Sequence, residues 1–194
     1  KLKTLDLSNS GGLRDLAPLK GIPLTSLNLT NCGIVQDLSP LEGMPLAQLD
    51  LTNCTEVRSL EPLRGLPLKS LSLRGCSLLP GLKGIEGMQL TTLDLSGCAR
   101  ISDIRAVQNM PLVQINLNGC TALTDLSPLK GKPFTQLDLS GFVKLTDLTH
   151  LKGMPLARLN LNGCLELVDL SPLRGIPLHH LELNGCAKVT DLTP

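Results

Sequence analysis

The sequence predicts an α/β-type solenoid, a right-handed superhelix with nine short parallel strands on its concave face, short 3₁₀ turns on its convex face and shallow curvature. Three observations carry this prediction. A large apolar residue recurs every 22 residues without a slip, each repeat opens with an apolar/polar alternation, and each closes with the Pro and Gly signals of one tight turn. The 194 residues include no Trp, no Tyr and two Phe, so the interior is predicted to be aliphatic.

The repeat covers the whole chain, 1–194, as a single array. The repeats begin at Leu2, Leu24, Leu46, Leu68, Leu90, Leu112, Phe134, Leu156 and Leu178. Positions within a repeat are numbered from that first residue. Because neither end carries a polar segment to cover its terminal coil, we expect either a fragment that lacks its caps or end-to-end self-association.

The local spacing predicts the backbone of each coil. Leu27 and Leu29 lie between polar residues, the period of a strand with one buried face, so positions 3 to 7 are predicted to form a strand. The segment 37–43 reads D-L-S-P-L-E-G, which holds the start and stop signals of a single helical turn. Seven residues favour a 3₁₀ turn over an α-helix.

The coils must stack to bury their leucines. A strand about 4.8 Å from its neighbour finds apolar cover only on that neighbour, which predicts a parallel sheet along one face. Positions 1, 4, 6, 12, 15 and 18 are nearly always Leu, Ile or Val and are predicted to point inward. Position 21 adds methionine as adaptable filler, and Lys132 is the odd member of that layer.

The repeat resembles a known family. The segment L-x-x-L-x-L-x-x-C, as in Leu90 to Cys98 or Leu156 to Cys164, is similar to the leucine-rich-repeat signature with Cys at the position often held by Asn. With D-L-S-P-L-K-G at Asp125 to Gly131, it resembles the bacterial 22-residue repeats of internalin-like proteins and of arrays attached to bacterial serine/threonine kinases. The resemblance implies a concave sheet that binds proteins or, occasionally, glycans.

Seven cysteines share position 9 of the repeat. They are predicted to remain buried thiols that donate to corner carbonyls, because side chains stacked about 4.8 Å apart in parallel do not converge on a disulfide or on zinc. An odd number of unpaired thiols favours a reducing, cytoplasmic location, with the cell surface as the alternative if a signal or anchor lies outside this segment. Ser10 and Phe142 interrupt the series, and Phe142 and Phe134 are predicted to repack one stretch of core. The cysteines are Cys32, Cys54, Cys76, Cys98, Cys120, Cys164 and Cys186.

Carboxylates at position 14 precede the tight turn in most repeats. A calcium array would need a glycine-rich nonapeptide that is missing here, so these residues are predicted to accept main-chain N–H bonds of the turn instead. No metal or other cofactor is predicted. The residues are Asp15, Asp37, Asp103, Asp125, Asp147, Asp169 and Asp191.

Composition and motifs exclude several classes of function. A formal charge of +1 offers no field to draw the chain onto nucleic acid or an anionic membrane, and no apolar stretch approaches 18 residues. The first residues lack the profile of a signal peptide. No nucleophile, base and orienting group converge around His150, His179 or His180, and the glycines are single turn terminators. The chain is therefore predicted not to be an enzyme.

The outward positions 3, 5 and 7 are predicted to carry function. Position 5 alternates acidic and neutral residues along the sheet. This order avoids a repulsion of roughly 1 to 3.5 kcal/mol between carboxylates on neighbouring strands. Duplication of a two-repeat unit explains the same order. Arg158, His180, Glu182 and Asp138 are expected to share one face, either as a recognition patch or as an ordinary solvated charged face. The predicted binding surface comprises Asp50, Arg74, Asp94, Asp138, Arg158, Asn160, His180 and Glu182.

We therefore expect a protein–protein interaction module. The face lacks the Tyr and Trp that anchor tight interfaces, so two alternatives stay open: a structural spacer, natural or engineered, and a glycan-binding surface. The strict 22-residue spacing is compatible with an engineered array. Repeat 4, however, lacks the Asp and both Pro of the pattern between Ser77 and Gln89, and divergence of a natural sequence explains this loss better.

Overall fold

The computed structural model describes residues 2–192. Within them the chain forms nine three-residue strands and seven single 3₁₀ turns, and no helix is long and apolar enough to cross a membrane. The strands are β1 (Thr4–Asp6), β2 (Ser26–Asn28), β3 (Gln48–Asp50), β4 (Ser70–Ser72), β5 (Thr92–Asp94), β6 (Gln114–Asn116), β7 (Gln136–Asp138), β8 (Arg158–Asn160) and β9 (His180–Glu182). The 3₁₀ turns are Ala17–Leu19, Ser39–Leu41, Glu61–Leu63, Arg105–Val107, Ser127–Leu129, Thr149–Leu151 and Ser171–Leu173. The two ends of the predicted array, residues 1, 193 and 194, lie outside the described part.

The strands are parallel and paired in register, each with the equivalent positions of the next repeat. They form two sheets, one of β1 to β6 and one of β7 to β9, so the ladder is interrupted between β6 and β7. The predicted strand number and direction are confirmed. The interruption is a feature that the constant period does not reveal.

Each strand is shorter than the predicted span of positions 3 to 7. Main-chain pairing does continue past it, since the Leu7 N–H donates to the Asn28 carbonyl at 2.9 Å and the Asn9 N–H to the Thr30 carbonyl at 2.7 Å. The extended backbone ends at position 8, where φ is positive: Asn9, Asn31 and Asn53 hold it near +60° and glycine takes the same place from Gly75 onward. Within the predicted span the N–H of position 7 donates to the side chain of position 5 and not to a neighbouring coil, as Thr30 does to Asn28 Oδ1 at 2.9 Å, so the regular strand ends at position 5.

The core lies between the strand side and the turn side, and its composition is the one predicted. In repeat 2 the inward positions are Leu24, Leu27, Leu29, Val35, Leu38, Leu41 and Met44, none more than 4% exposed. Lys132 is buried in the methionine layer, where its Nζ donates to the main-chain carbonyls of Gln108, at 2.7 Å, and Met110. Burial lowers the pKa of Lys132, and the two carbonyls of the preceding coil offset part of that desolvation.

The seven position-9 cysteines form a buried cysteine ladder of free thiols, as predicted. Each Sγ donates to the position-6 carbonyl of the preceding coil at 3.0 to 3.4 Å, for example Cys98 to Leu73 at 3.1 Å. Burial raises the pKa of Cys98 from an ordinary value of 9.0 to about 12, and it raises the pKa of Cys164 to about 11. The thiols therefore act as structural donors between coils.

The position-14 carboxylates accept main-chain N–H groups at the start of the 3₁₀ turns, which confirms their predicted role. Asp37 Oδ1 lies 2.8 Å from the Ser39 nitrogen, and Asp125 Oδ1 lies 2.8 Å from the Ser127 nitrogen. In repeat 3 the hydroxyl of Ser59 replaces the carboxylate and accepts the Glu61 N–H at 3.2 Å.

Repeat 4 departs from this scheme in its backbone as well as its sequence. No 3₁₀ turn forms among its residues, all of which the structure describes. Gly84 takes the place of the usual proline with φ at +108°, and a Cβ there would lie 2.3 Å from the Leu60 carbonyl oxygen. The chain thus passes directly against the main chain of repeat 3, an approach that only glycine permits.

Candidate binding face

The outward side chains at positions 3, 5 and 7 form the surface that we call the sheet face. At position 5 an Asp or Asn turns its Oδ1 back to accept the N–H of position 7, as Asp50 does from Thr52 at 2.8 Å and Asn160 from Asn162 at 2.9 Å. The acidic alternation predicted for binding therefore has a structural use, because each of these side chains closes a short turn at the end of its strand. One carboxylate oxygen of each Asp remains outside that turn.

The structure brings five of the eight predicted site residues into one depression of about 330 Å³. Arg74 follows β4, Asp50 lies on β3 and Asp94 on β5, all on the sheet face but outside this depression. We call the depression the seam pocket. Its lining residues are Ile115, Asn116, Gln136, Leu137, Asp138, Arg158, Leu159, Asn160, His180 and Glu182.

Most charged groups of the seam pocket already have partners. Glu182 accepts from Asn162 Nδ2 at 2.6 Å through one oxygen, and its other oxygen lies 3.0 Å from His180 Nε2. The hydrogen bond from His180, followed by that from Asn162, lowers the pKa of Glu182. Asp138 accepts the Ser140 N–H at 2.8 Å through Oδ1. Both acids are held in place by these contacts.

Arg158 is the exception in the seam pocket. Its side chain is exposed, and within residues 2–192 its guanidinium has neither an ion pair nor a hydrogen bond. A guanidinium presents a rigid fork of donors that matches carboxylates and main-chain carbonyls. Arg158 is therefore the group in the pocket with the most unused hydrogen-bonding capacity.

The pocket extends over β6 to β9 and so spans the break between β6 and β7, which we call the seam. Between all other neighbouring coils, the position-2 carbonyl accepts the N–H groups of positions 2 and 3 of the next coil at 2.7 to 3.1 Å. Across the seam the carbonyl of Val113 receives neither of them, and the N–H groups of Leu117 and Gly119 have no partner within residues 2–192. Ile115 is 9% exposed, whereas the equivalent leucines of repeats 2–5, 7 and 8 are 3% exposed or less.

The seam coincides with three departures from the repeat pattern. Phe142 occupies position 9, where the thiols of other repeats donate to the position-6 carbonyl of the preceding coil, so repeat 7 has a buried benzyl group in place of that small donor. Phe134 is fully buried at position 1, where the other repeats have leucine. Lys132, at the end of repeat 6, bonds to two main-chain carbonyls of repeat 5. The predicted repacking by the two aromatic rings is thus accompanied by a loss of strand pairing.

A second depression, of about 580 Å³, lies on the turn side where repeat 4 lacks its 3₁₀ turn. It is larger, but its charged side chains are paired. Lys83 Nζ lies 2.8 Å from a carboxylate oxygen of Glu61, and Arg105 lies 2.5 Å from Asp103. The seam pocket, with its unpaired guanidinium, is the stronger candidate for binding.

Sequence reasoning missed Asn116, Gln136 and the main chain of the seam. The two amides belong to ordinary outward positions, and nothing in their own pattern separates them from Asn28 or Gln48. The available signal was the departure of Phe142 from cysteine, which marks the one coil boundary where the pocket forms. The binding role of all these residues stays a prediction.

The stacked parallel strands, the 3₁₀ turns and the aliphatic core define a leucine-rich-repeat solenoid. Among solved structures, it is similar to internalin C2 of Listeria monocytogenes str. 4b F2365, with a TM-score of 0.74 and 23% identity over 93% of this chain and 80% of that chain. It is also similar to internalin F of the same strain, with a TM-score of 0.50 and 21% identity over 89% of this chain and 64% of that chain. No family model and no curated protein matches the chain. The likeness shows the fold, and the 22-residue cysteine-type subfamily stays a prediction.

Proposed function

We propose that this chain is a protein-interaction module that binds its partner on the sheet face at the seam pocket. The observation that carries the proposal is Arg158, an unpaired guanidinium set among fixed polar groups above an interrupted sheet. Arginine is enriched among residues that dominate interface energies, and a carboxylate of the partner would match its donors. The absence of Trp and Tyr from the sequence leaves Arg158 as the principal anchor.

The proposal assigns recognition and no reaction to the pocket. Glu182 has both oxygens engaged, and Asp138 has one oxygen committed to its own main chain. His180 is occupied by Glu182 at 3.0 Å. These contacts orient polar groups toward a partner but leave no base poised beside a nucleophile.

The test compares matched positions on one face. A photo-crosslinking residue at Gln136 lies in the seam pocket, whereas the same replacement at Gln48 occupies position 3 of β3, outside it. We expect partner crosslinks from position 136 and few from position 48. With the crosslinked partner purified, Arg158→Ala should weaken binding at least tenfold, about 1.4 kcal/mol, while Arg74→Ala changes it less than twofold. Equal effects of the two arginine substitutions would remove the proposal.

A glycan is the second candidate ligand because three amide side chains, Asn116, Gln136 and Asn160, line the pocket beside Asp138. Amides and carboxylates supply the paired donors and acceptors that sugar hydroxyls require. A saccharide array probed with the wild-type chain and with Asn160→Ala separates this ligand from a protein. Binding to a defined saccharide that Asn160→Ala abolishes would favour the glycan.

The compartment and the assembly state also stay predictions. The cysteine ladder is buried with raised pKa values, so its thiols are poorly reactive in an oxidising medium as well as in a reducing one. The cysteine count therefore favours a cytoplasmic location less strongly than the sequence alone indicated. End-to-end self-association is tested by sedimentation at several concentrations.

A further inference from the structure

The turn that ends repeat 5 is built differently from the corresponding turns of other repeats. After each of the other six 3₁₀ turns, a residue with ψ between 124° and 132° precedes a glycine with φ between +70° and +80°. These angles define a type II β-turn, which favours glycine at its third residue. In repeat 5, Asn109 takes the place of that glycine without a positive φ, and Gln108 before it has φ −51° and ψ −45°. The turn from Val107 to Met110 is therefore of type I.

The change of turn type turns over one peptide group. The bond that closes the turn is kept, since the Met110 N–H donates to the Val107 carbonyl at 3.0 Å and the equivalent groups of repeat 2 lie 3.1 Å apart. The peptide between the two central residues points in opposite directions in the two turn types. The carbonyl of Gln108 is thus directed differently from its counterparts, and it accepts a hydrogen bond from Lys132 Nζ at 2.7 Å.

Lys132 is as unusual at its position as Asn109 is at its own. Position 21 is Ile, Leu or Met in every other complete repeat, and the one lysine comes in the repeat directly after the changed turn. The residue is 8% exposed, and its Nζ donates to the Met110 carbonyl as well as to that of Gln108. A buried amine needs acceptors, and here both acceptors belong to the turn of repeat 5.

We propose that Lys132 selects the type I turn of repeat 5, so that Asn109 and Lys132 act as one conformational device across two coils. Asparagine tolerates either sign of φ, and Asn31 and Asn53 hold φ near +60° in this chain. The residue at position 109 therefore permits both turn types. The donors of Lys132 favour the type that directs the Gln108 carbonyl toward them.

The turn of repeat 5 borders the larger depression on the turn side. Asn109 lines this depression of about 580 Å³ together with Arg105 and Ala106 of the same repeat, whereas Lys132 does not line it. The φ of Asn109 changes sign when the turn changes type, so the main chain and side chain at this wall differ between the two types. Lys132 thus sets the shape of one wall of the depression from the following coil.

The first test restores the residues of the other repeats. Lys132→Met removes the amine, Asn109→Gly relieves the strain of a positive φ, and Lys130→Met, at an exposed lysine of the same repeat, is the matched control. In NMR spectra a strong cross-peak between the amide protons of residues 108 and 109 marks a type I turn, and one between Hα of 108 and the amide proton of 109 marks type II. We expect type I in the wild type and the control, and type II in the variant that combines Lys132→Met with Asn109→Gly. A type I turn in that double variant would overturn the inference.

The second test measures the coupling of the two residues by urea denaturation. In the wild-type background, Lys132→Met leaves either a carbonyl without its donor or Asn109 at positive φ, whereas in the Asn109→Gly background the turn changes type without that strain. The added apolar side chain is the same in both backgrounds and cancels in the comparison. Lys132→Met should therefore raise the equilibrium constant for unfolding at least fivefold more in the wild-type background, and Lys130→Met should act equally in both. Equal effects of Lys132→Met would refute the coupling, and neither test involves Arg158 or the proposed function.

Discussion

Raising the pH through the range in which thiols ionise should destabilise this array, because the buried cysteine ladder favours protonated thiols. In the unfolded chain a thiol ionises near its ordinary pKa of 9.0, whereas burial holds the pKa of Cys98 at about 12 in the folded chain. Between these values the unfolded state binds fewer protons than the folded state, so the stabilisation is complete below pH 9 and is lost as the pH rises toward 12. The sign follows from burial, which disfavours the thiolate.

The magnitude follows from the two pKa values. At pH 10.5 the unfolded thiol is almost fully ionised and the folded one almost fully protonated, which amounts to about 2 kcal/mol for Cys98. Cys54 and Cys120 have similarly raised pKa values, each about 12, so they act in the same direction as Cys98. The sequence contains no tyrosine, which leaves lysines as the main other side chains that titrate in this range.

The assay is urea denaturation at pH 8.0 and 10.5 in the presence of a reductant, with the wild-type chain, Cys98→Ser and Leu95→Val. Between pH 8.0 and 10.5 the unfolding free energy of the wild type should fall by about 2 kcal/mol more than that of Cys98→Ser. Leu95→Val changes the core without adding or removing a titrating group, so its difference from wild type should stay constant. A Cys98→Ser difference that is equally constant would refute the reasoning.

Three further predictions concern stability. Gly84→Ala should lower the unfolding free energy by more than about 2 kcal/mol, because its Cβ would overlap a main-chain carbonyl. Gly81→Ala, whose Cβ would have nothing within 4 Å, should change it little. Equal melting temperatures of the two variants would contradict this. Leu93→Ala removes a fully buried side chain and should cost about 2–5 kcal/mol by urea titration, against less than about 1 kcal/mol for Leu165→Ala, whose residue is 47% exposed. Hydrogen bonds from Ser127 lower the pKa of Asp125, so Asp125→Ala should lower the melting temperature at pH 7, and this difference from wild type should shrink as acid protonates the carboxylate. A difference that does not change with pH would contradict the role of the Asp125 carboxylate as acceptor at the start of its 3₁₀ turn.

The coil was predictable from sequence because each of its determinants is local and repeated. Leu27 and Leu29 alternate with polar residues, Asp37 precedes a turn, and Cys32 recurs at one position; the structure places each of them as expected. Repetition multiplies every weak signal, so errors in one repeat are corrected by its neighbours. Strand length was overestimated because the pattern does not show that the side chain of Asn28 accepts the Thr30 N–H, which ends the regular strand two residues early.

The candidate site was only partly predictable because it arises where the repeat fails. That Arg158, Asp138 and Glu182 share a face follows from their positions in the repeat. The pocket itself depends on how the rings of Phe134 and Phe142 pack between coils. The presence of Phe142 in the sequence does not indicate whether the larger ring changes the packing of the core or breaks the pairing of the strands. Repeat 4 shows the same limit, since the contact of Gly84 with the preceding coil depends on backbone conformation.

The seam also determines where this array is mechanically weakest. In a stack whose units touch only their neighbours, cohesion is limited by the poorest junction, and the junction between repeats 6 and 7 lacks the cross-strand bonds made at every other junction. Stretching the chain from its ends, or warming it gradually, should therefore part it into a longer amino-terminal rod and a shorter carboxy-terminal one. A partner bound across the junction would contact both parts and hold them together.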